Sequence, residues 1–253
     1  TEETVGVGVW TGFAVGVAGV GVAYADWLGL SRRAFLTRAR DASAGLTIGI
    51  AGLFVGYFFS ATGVTLLGES TAMLQWGVST VTFSVGLGVV AIGFLLVTHR
   101  DLSFIDVDML SRRDWVHVVG GVLAMFRVLA VIAVTTSLLE IPSAQHSLIE
   151  VAQRQPHILL YFIPLSWLAI GPGEELLARN IIQKLLYGSY SRTGAVLVAT
   201  LIFTVIHVPA YATGTAAATF ATLVRLFAIS LVLGVVYERT ENVIVPALVH
   251  GTY

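Results

Sequence analysis

"GPGEELLARN", residues 171–180, sets two adjacent glutamates and an arginine between the apolar runs YFIPLSWLAI (161–170) and IIQKLLYG (181–188). The reading of that stretch depends on what surrounds it. A soluble domain carries about a quarter of its residues as Asp, Glu, Lys or Arg. This chain of 253 residues carries 11% charged and 56% hydrophobic residues, with a mean hydropathy of +0.86. Such a chain is matched to a lipid bilayer rather than to water. Its 26 glycines fit the same reading, because glycine is more frequent in spanning helices than in soluble ones.

Apolar runs long enough to cross a bilayer fall at roughly 5–26, 43–67, 72–97, 115–140, 157–187, 192–211 and 215–237, with an eighth beginning near 242 and cut short by the end of the sequence. The expected fold is therefore all-α, a polytopic membrane helical bundle of about eight transmembrane helices forming one integral membrane domain over 1–253. Gly171, Pro172 and Gly173 predict a break or kink in the fifth segment, and 104–115 (FIDVDMLSRRDW) a short interfacial helix. Residues 141–156 form the longest external connection, and no internal repeat is found.

The basic residues support this segmentation. Arg32, Arg33, Arg38, Arg40, Arg100, Arg112, Arg113, Lys184, Arg192 and Arg239 all fall in or beside the connections after the odd-numbered segments, whereas the other connections hold only Arg154. Cytoplasmic connections concentrate Lys and Arg, so the odd-numbered connections are placed in the cytoplasm of the cell and the N-terminus outside. Scattered basic residues with a net charge of −1 offer no nucleic-acid surface. The absence of cysteine excludes disulfides and thiolate chemistry, and the opening TEET lacks the basic region of a cleavable signal peptide.

An ionisable side chain at the centre of a bilayer costs about 2.5–3.5 kcal/mol on insertion scales and as a rule faces a cavity or a partner. The residues in that position are Arg127, Glu174, Glu175, Arg179, His207, Arg225 and His250, with Glu238 close to a helix end. Glu175 and Arg179 stand four apart and share a helix face, which suits a structural ion pair. Glu174 points about 100° away, free to face a cavity. His207 in LIFTVIHVPAY and His250 in IVPALVHGTY are, singly, ordinary core histidines. Together with a carboxylate pair they can manage a proton and activate water, or hold a metal ion. No HExxH occurs. Arg127 and Arg225 suit structural pairing or a substrate's terminus, and the run RLFAISL (225–231) reads as carrying no further polar ligand.

EELLAR (174–179), FTVIH (203–207) and YERTENVIVPALVHG (237–251), in that order, resemble the motifs of the CAAX prenyl protease and bacteriocin-processing family of intramembrane proteases, the type II CAAX prenyl endopeptidases. The resemblance covers about 171–250 and places a protease core at 157–253. It implies Glu174 as the general base on water, assisted by His207, with His250 at the oxyanion site and Glu175, Arg179 and Phe203 in support. It further implies a metal-free reaction without cofactor, in a cavity opening to the cytoplasmic leaflet, on a lipidated or membrane-associated peptide. Non-catalytic relatives (immunity or scaffold) and an ion- or proton-coupled transporter built on the interrupted fifth helix are the alternatives. Two departures stand out. The Asn or Asp of the family's last motif would fall four residues after His250, past Tyr253, and Ala178 replaces a common aromatic before the motif arginine.

Overall fold

The structure, a computed structural model, describes residues 29, 31–141, 158–211 and 215–253. Its long helices begin where a Ser or Thr can cap them. Ser31 accepts from the Ala34 amide at 3.2 Å to start α1 (Arg32–Leu67), and Thr71 accepts from Leu74 at 3.4 Å to start α2 (Ala72–Val97). Ser111 and Asp114 form a reciprocal capping box at the head of α3 (Arg112–Leu138). Past the central segment described next, Ser191 starts α7 (Arg192–Ile206) and Thr215 starts α9 (Ala216–Thr240). A single turn, α8 (Val208–Tyr211), lies between those two, and α10 (Ile244–His250) comes last.

Between α3 and α7 one helical path runs from Leu159 to Leu186. It is built of α4 (Leu159–Leu165), a π-helical stretch (Ser166–Ile170), α5 (Gly171–Glu175), a second π-helical stretch (Leu176–Gln183) and α6 (Lys184–Leu186). Of the break or kink expected at 171–173, the break does not occur. Ile170 and Gly171 keep right-handed helical dihedrals, and the Gly171 amide donates to the Ser166 carbonyl, five residues back. A π turn spreads the carbonyl register just before Pro172, which has no N–H to give, so the helix continues through the proline.

The glycines there serve close packing instead. A Cβ on Gly171 would stand 2.6 Å from the Ala247 carbonyl oxygen of α10, and one on Gly173 2.9 Å from the Ser84 Cβ of α2. Downstream, every residue from Leu177 to Gln183 is buried. This is the central helix of the bundle. One apolar cluster joins it to α2 and α7 through Leu87, Leu177, Ile181 and Ile202, and a second joins it to α3, α9 and α10 through Met125, Ala178, Phe203, Leu233 and Val249.

The fold is an all-α bundle, but fewer helices qualify as spans than the hydropathy suggested. Among the described residues four are long and apolar enough to cross a membrane: α1, α2, α3 and α9. The segment at 5–26 lies outside the described residues. The fifth segment is a composite, and α7 has 15 residues and α10 only 7, short of the about 20 that a hydrocarbon core requires. These shorter pieces carry the polar residues, and the long helices shield them from the surroundings. With 36 residues, α1 extends roughly 54 Å at 1.5 Å per residue and starts well before the expected residue 43. The interfacial helix expected at 104–115 is absent. A single 3₁₀ turn (Leu102–Phe104) precedes an irregular strap to Ser111, because Asp106 and Asp108 are used in fastening it to other helices.

Candidate active site

Glu175 and Arg179 form the expected pair, with Arg179 Nε donating to Glu175 Oε2 at 2.9 Å and both side chains fully buried. The pair has two further partners. Arg179 Nη2 donates to Ser230 Oγ of α9 at 2.9 Å, and His250 Nδ1 stands 2.9 Å from Glu175 Oε1. A carboxylate oxygen only accepts, so Nδ1 carries the proton and His250 presents a bare Nε2. Tyr253 stacks on the other side of that imidazole, ring centres 5.3 Å apart.

His207 is held differently but to the same effect. It caps α7, and its Nδ1 donates to the Phe203 carbonyl at 2.7 Å, which again leaves Nε2 as the unprotonated nitrogen. The ring of Phe203 lies between two site residues: its centre is 4.2 Å from the His207 ring and 5.3 Å from the Arg179 guanidinium carbon. The four-residue spacing of Phe203 and His207 therefore has a physical basis. One helical turn sets both the carbonyl that orients the imidazole and the ring against which it packs.

Glu174 is where these arrangements meet. Its Oε2 is 3.9 Å from His250 Nε2 and 4.0 Å from His207 Nε2, with its side chain 19% exposed. Those distances are too long for direct hydrogen bonds. Three acceptors thus converge without a donor among them, an arrangement satisfied by a water that donates or by an added proton. Among the described residues, no group of three or more His, Asp or Glu side chains has the geometry to hold a metal ion.

Two cavities share Glu174 and His207. One is a narrow apolar slot of about 30 Å³, with room for a water or two, bounded by Gly49, Ala178 and the buried Leu87, Ile182 and Ala199. Ala178 thus lines open space beside the carboxylate. The other is a groove of about 220 Å³ that passes Ser84, Thr80, Ser79 and Ser60 to Trp76, Tyr57 and Pro209. This groove runs towards the last turns of α1 and the first turns of α2, away from the basic end of the bundle where Lys184, Arg192 and Arg239 lie. Beyond the slot, Arg179, Asn180 and Gln183 of the central helix are fully buried.

Glu174, Glu175, Arg179, Phe203, His207 and His250 are therefore brought together from three separate stretches of sequence. Arg127 is exposed on α3 and lacks an ion pair or hydrogen bond among the described residues. Arg225 is half-buried on α9, also without such a partner there, and Tyr211 lies within electrostatic reach of both Arg225 and Glu174. Glu238 pairs with Arg239 at 3.1 Å, at the basic end and away from the site. The run RLFAISL does hold a polar ligand: Ser230, fully buried against Arg179. Its one hydroxyl on the inward face of an apolar helix was the available signal. Tyr253 and Asn180 were also missed. Asn180 follows the motif arginine directly and accepts from the Asp106 amide at 2.7 Å.

The last part of the chain, residues 156–253, matches the family model described as type II CAAX prenyl endopeptidase, Rce1-like. The match spans about two fifths of the sequence and contains Glu174, Glu175, Arg179, His207 and His250. No curated protein and no solved structure matches the chain.

Proposed function

We infer that the protein is an intramembrane endopeptidase in which Glu174 activates a water for attack on a peptide bond. The observation that carries this reading is the convergence of Glu174 Oε2 with the bare Nε2 atoms of His207 and His250. A water seated there donates its two protons to Glu174 and to His207 Nε2 and keeps its lone pairs for a substrate carbonyl. Glu174 takes one proton as the water oxygen bonds to the carbonyl carbon, and His207 holds the water in place. As the C–N bond breaks, Glu174 returns that proton to the departing amine.

His250 is suited to the oxyanion. Backed by Glu175 through Nδ1, it is the imidazole best placed to carry a second proton on Nε2 and so to donate to the developing negative charge. Arg179 and Ser230 hold Glu175 in the orientation that this requires. The family match suggests a prenylated or otherwise membrane-held peptide as the substrate class, with surrounding lipid as the other partner. The transporter alternative loses its main support, since the helix is continuous through Gly171–Gly173.

The reading is tested with the full chain in lipid bilayers, given a lipidated peptide. Cleavage is expected from the native protein, with a loss of about 10²- to 10⁴-fold in Glu174→Gln, as removal of a general base gives. Undiminished turnover in that variant, or no cleavage of any membrane-held peptide by the native protein, rejects it.

A further inference from the structure

The strap between α2 and α3 carries an aspartate that the reaction does not use. Asp106 is half-buried, and each of its four polar atoms is bonded to a different residue. Its amide donates to Asn180 Oδ1 at 2.7 Å, and its carbonyl accepts from the Val243 amide at 2.8 Å. Its carboxylate receives Lys184 Nζ on Oδ1 and the Tyr237 hydroxyl on Oδ2, both at 2.6 Å. Asn180 and Lys184 belong to the central helix, Tyr237 to α9, and Val243 to the turn that leads into α10. One residue on an irregular segment thus joins three helices.

Its neighbours on the strap repeat the pattern. The Phe104 carbonyl accepts from Asn180 Nδ2 at 3.2 Å and from Lys184 Nζ at 2.8 Å. Asn242, which is buried, donates from Nδ2 to the Asp108 carbonyl at 3.0 Å, while its Oδ1 accepts from the amide of Ile244, the first residue of α10, at 3.2 Å. The strap therefore grips the central helix at Phe104 and Asp106, and the start of α10 at Asp106 and Asp108. Among the described residues no hydrogen bond joins it to α7, the helix that His207 caps.

From these anchors two arms run to the site. Asn180 lies six positions after Glu174 on the central helix, and His250 lies seven after Val243 along α10, so each arm is about 10 Å long at 1.5 Å per residue. The arms end on groups whose separation matters: His250 Nδ1 is 2.9 Å from Glu175 Oε1, and its Nε2 is 3.9 Å from Glu174 Oε2. Val245 and Val249 pack α10 into the apolar cluster with α3 and α9. Apolar attraction has no preferred direction, whereas a hydrogen bond fixes a distance and an angle. The bonds from the strap are what determine how far α10 reaches along the central helix.

We propose that Asp106 is a positioning residue: through Val243 and Asn180 it sets the height of α10 against the central helix, and so the placement of His250 over Glu174. The proposal rests on the protease reading for its effect on turnover, but not for its geometry. Asp106 itself touches neither the attacking water nor the peptide. Without its carboxylate, Tyr237 and Lys184 release the strap, α10 is free to move along its axis, and the imidazole turns about its bond to Glu175. Nε2 then leaves the position from which it serves the oxyanion.

The test uses the full chain in lipid bilayers, made with isotope-labelled histidine. The ring-nitrogen resonances of His207 and His250 are read by NMR, assigned with His207→Gln and His250→Gln, and compared between the native protein, Asp106→Ala and Asp106→Asn. In Asp106→Ala the His250 resonances are expected to shift and those of His207 to stay. On a lipidated peptide kcat is expected to fall about 10- to 100-fold, as a small misplacement of a reacting group gives, with KM little changed. Asp106→Asn keeps an acceptor for Tyr237 and is expected to restore most of the loss. Equal shifts of both imidazoles would mean a general loosening of the bundle, and an unmoved His250 would mean that the strap has no hold on it; either overturns the proposal, as does native kcat in Asp106→Ala. Should that variant fail to fold, Asn242→Ala, which unties α10 only at Asp108, is read in the same way, with a smaller shift at His250 and none at His207. The resonances are recorded without substrate. A shift confined to His250 in a chain whose native form cleaves nothing therefore rejects the protease reading alone, and unaltered resonances in an active chain reject the positioning alone.

Discussion

His250 Nδ1 donates to Glu175 Oε1 over 2.9 Å and so ties α10 to the central helix across 75 residues of sequence. The other oxygen of the same carboxylate is taken by Arg179, so one buried side chain fixes both the cation and the imidazole. Glu175→Gln keeps the shape but removes the charge that lets His250 hold a second proton. A charge-assisted hydrogen bond is worth about 1.5–3 kcal/mol, so kcat is expected to fall roughly 10- to 100-fold with KM little changed. The variant also leaves the Arg179 cation without its counter-charge, at a cost of about 3–5 kcal/mol in stability. Steady-state kinetics and thermal unfolding of the same preparation separate the two effects, and wild-type values in both contradict the assignment.

Ser230→Ala separates support from chemistry. It removes the acceptor of Arg179 Nη2 in a place with no exposed surface, which costs about 1.5–3 kcal/mol for a charged donor left unpaired. Glu175 still holds the guanidinium through Nε, so His250 keeps its partner. A lowered melting temperature with near-native kcat is expected. A loss of activity as deep as that of Glu174→Gln would show that Ser230 lies closer to the reaction than the geometry places it.

The parts legible in sequence were those that local spacing determines. Glu175 and Arg179 are one helical turn apart, so their pairing follows from helix geometry, as does the divergence of Glu174. The meeting of His207 and His250 at Glu174 depends on how three helices cross, and only the resemblance to a family with motifs in that order suggested it. The break that Gly-Pro-Gly suggested is absent for a definable reason. Those residues are common to breaks and to close helix crossings, and the deciding fact, the Ala247 carbonyl that leaves no room for a Cβ on Gly171, is 76 positions away. Four of the eight expected spans are met among the described residues, because hydropathy measures how apolar a segment is and not how it is divided. The sixth and eighth apolar runs fold as short helices, α7 with one face exposed at Leu197, Leu201 and Val205 and α10 largely buried. Ser230 was hidden because a lone serine in an apolar helix is usually satisfied by its own backbone.

Phe203→Leu tests the ring between Arg179 and His207. Leucine fills much of the volume, so overall stability is expected to fall by under about 1.5 kcal/mol, while both the cation–π contact with Arg179 and the surface beneath the imidazole are lost. The His207 ring then keeps its bond to the carbonyl of residue 203 but gains freedom to tilt. Turnover is expected to drop several-fold with binding little affected. Phe203→Tyr, which retains the ring, should keep more activity than the leucine variant. The opposite order would show that the volume at this position, and not the ring, is what matters.

Ala178→Phe tests the slot beside Glu174. Ala178 is 5% exposed and borders the cavity of about 30 Å³; a phenyl group there must occupy that space or displace Leu87, Ile182 and Ala199. Forcing added volume into a packed interior costs about 1–3 kcal/mol, so melting is expected at a lower temperature, though not unfolding at ambient conditions. If the slot receives an apolar part of the substrate, KM rises, and it rises most for substrates with the bulkiest apolar group at the cleavage site. A lowered melting temperature with the same KM across a series of such peptides would mean that the slot is a packing defect. The groove would then carry all the substrate contacts. The carboxylate and the two imidazoles are untouched by this change, so a fall in kcat equal to that of Glu174→Gln would indicate that the added ring had moved Glu174 itself.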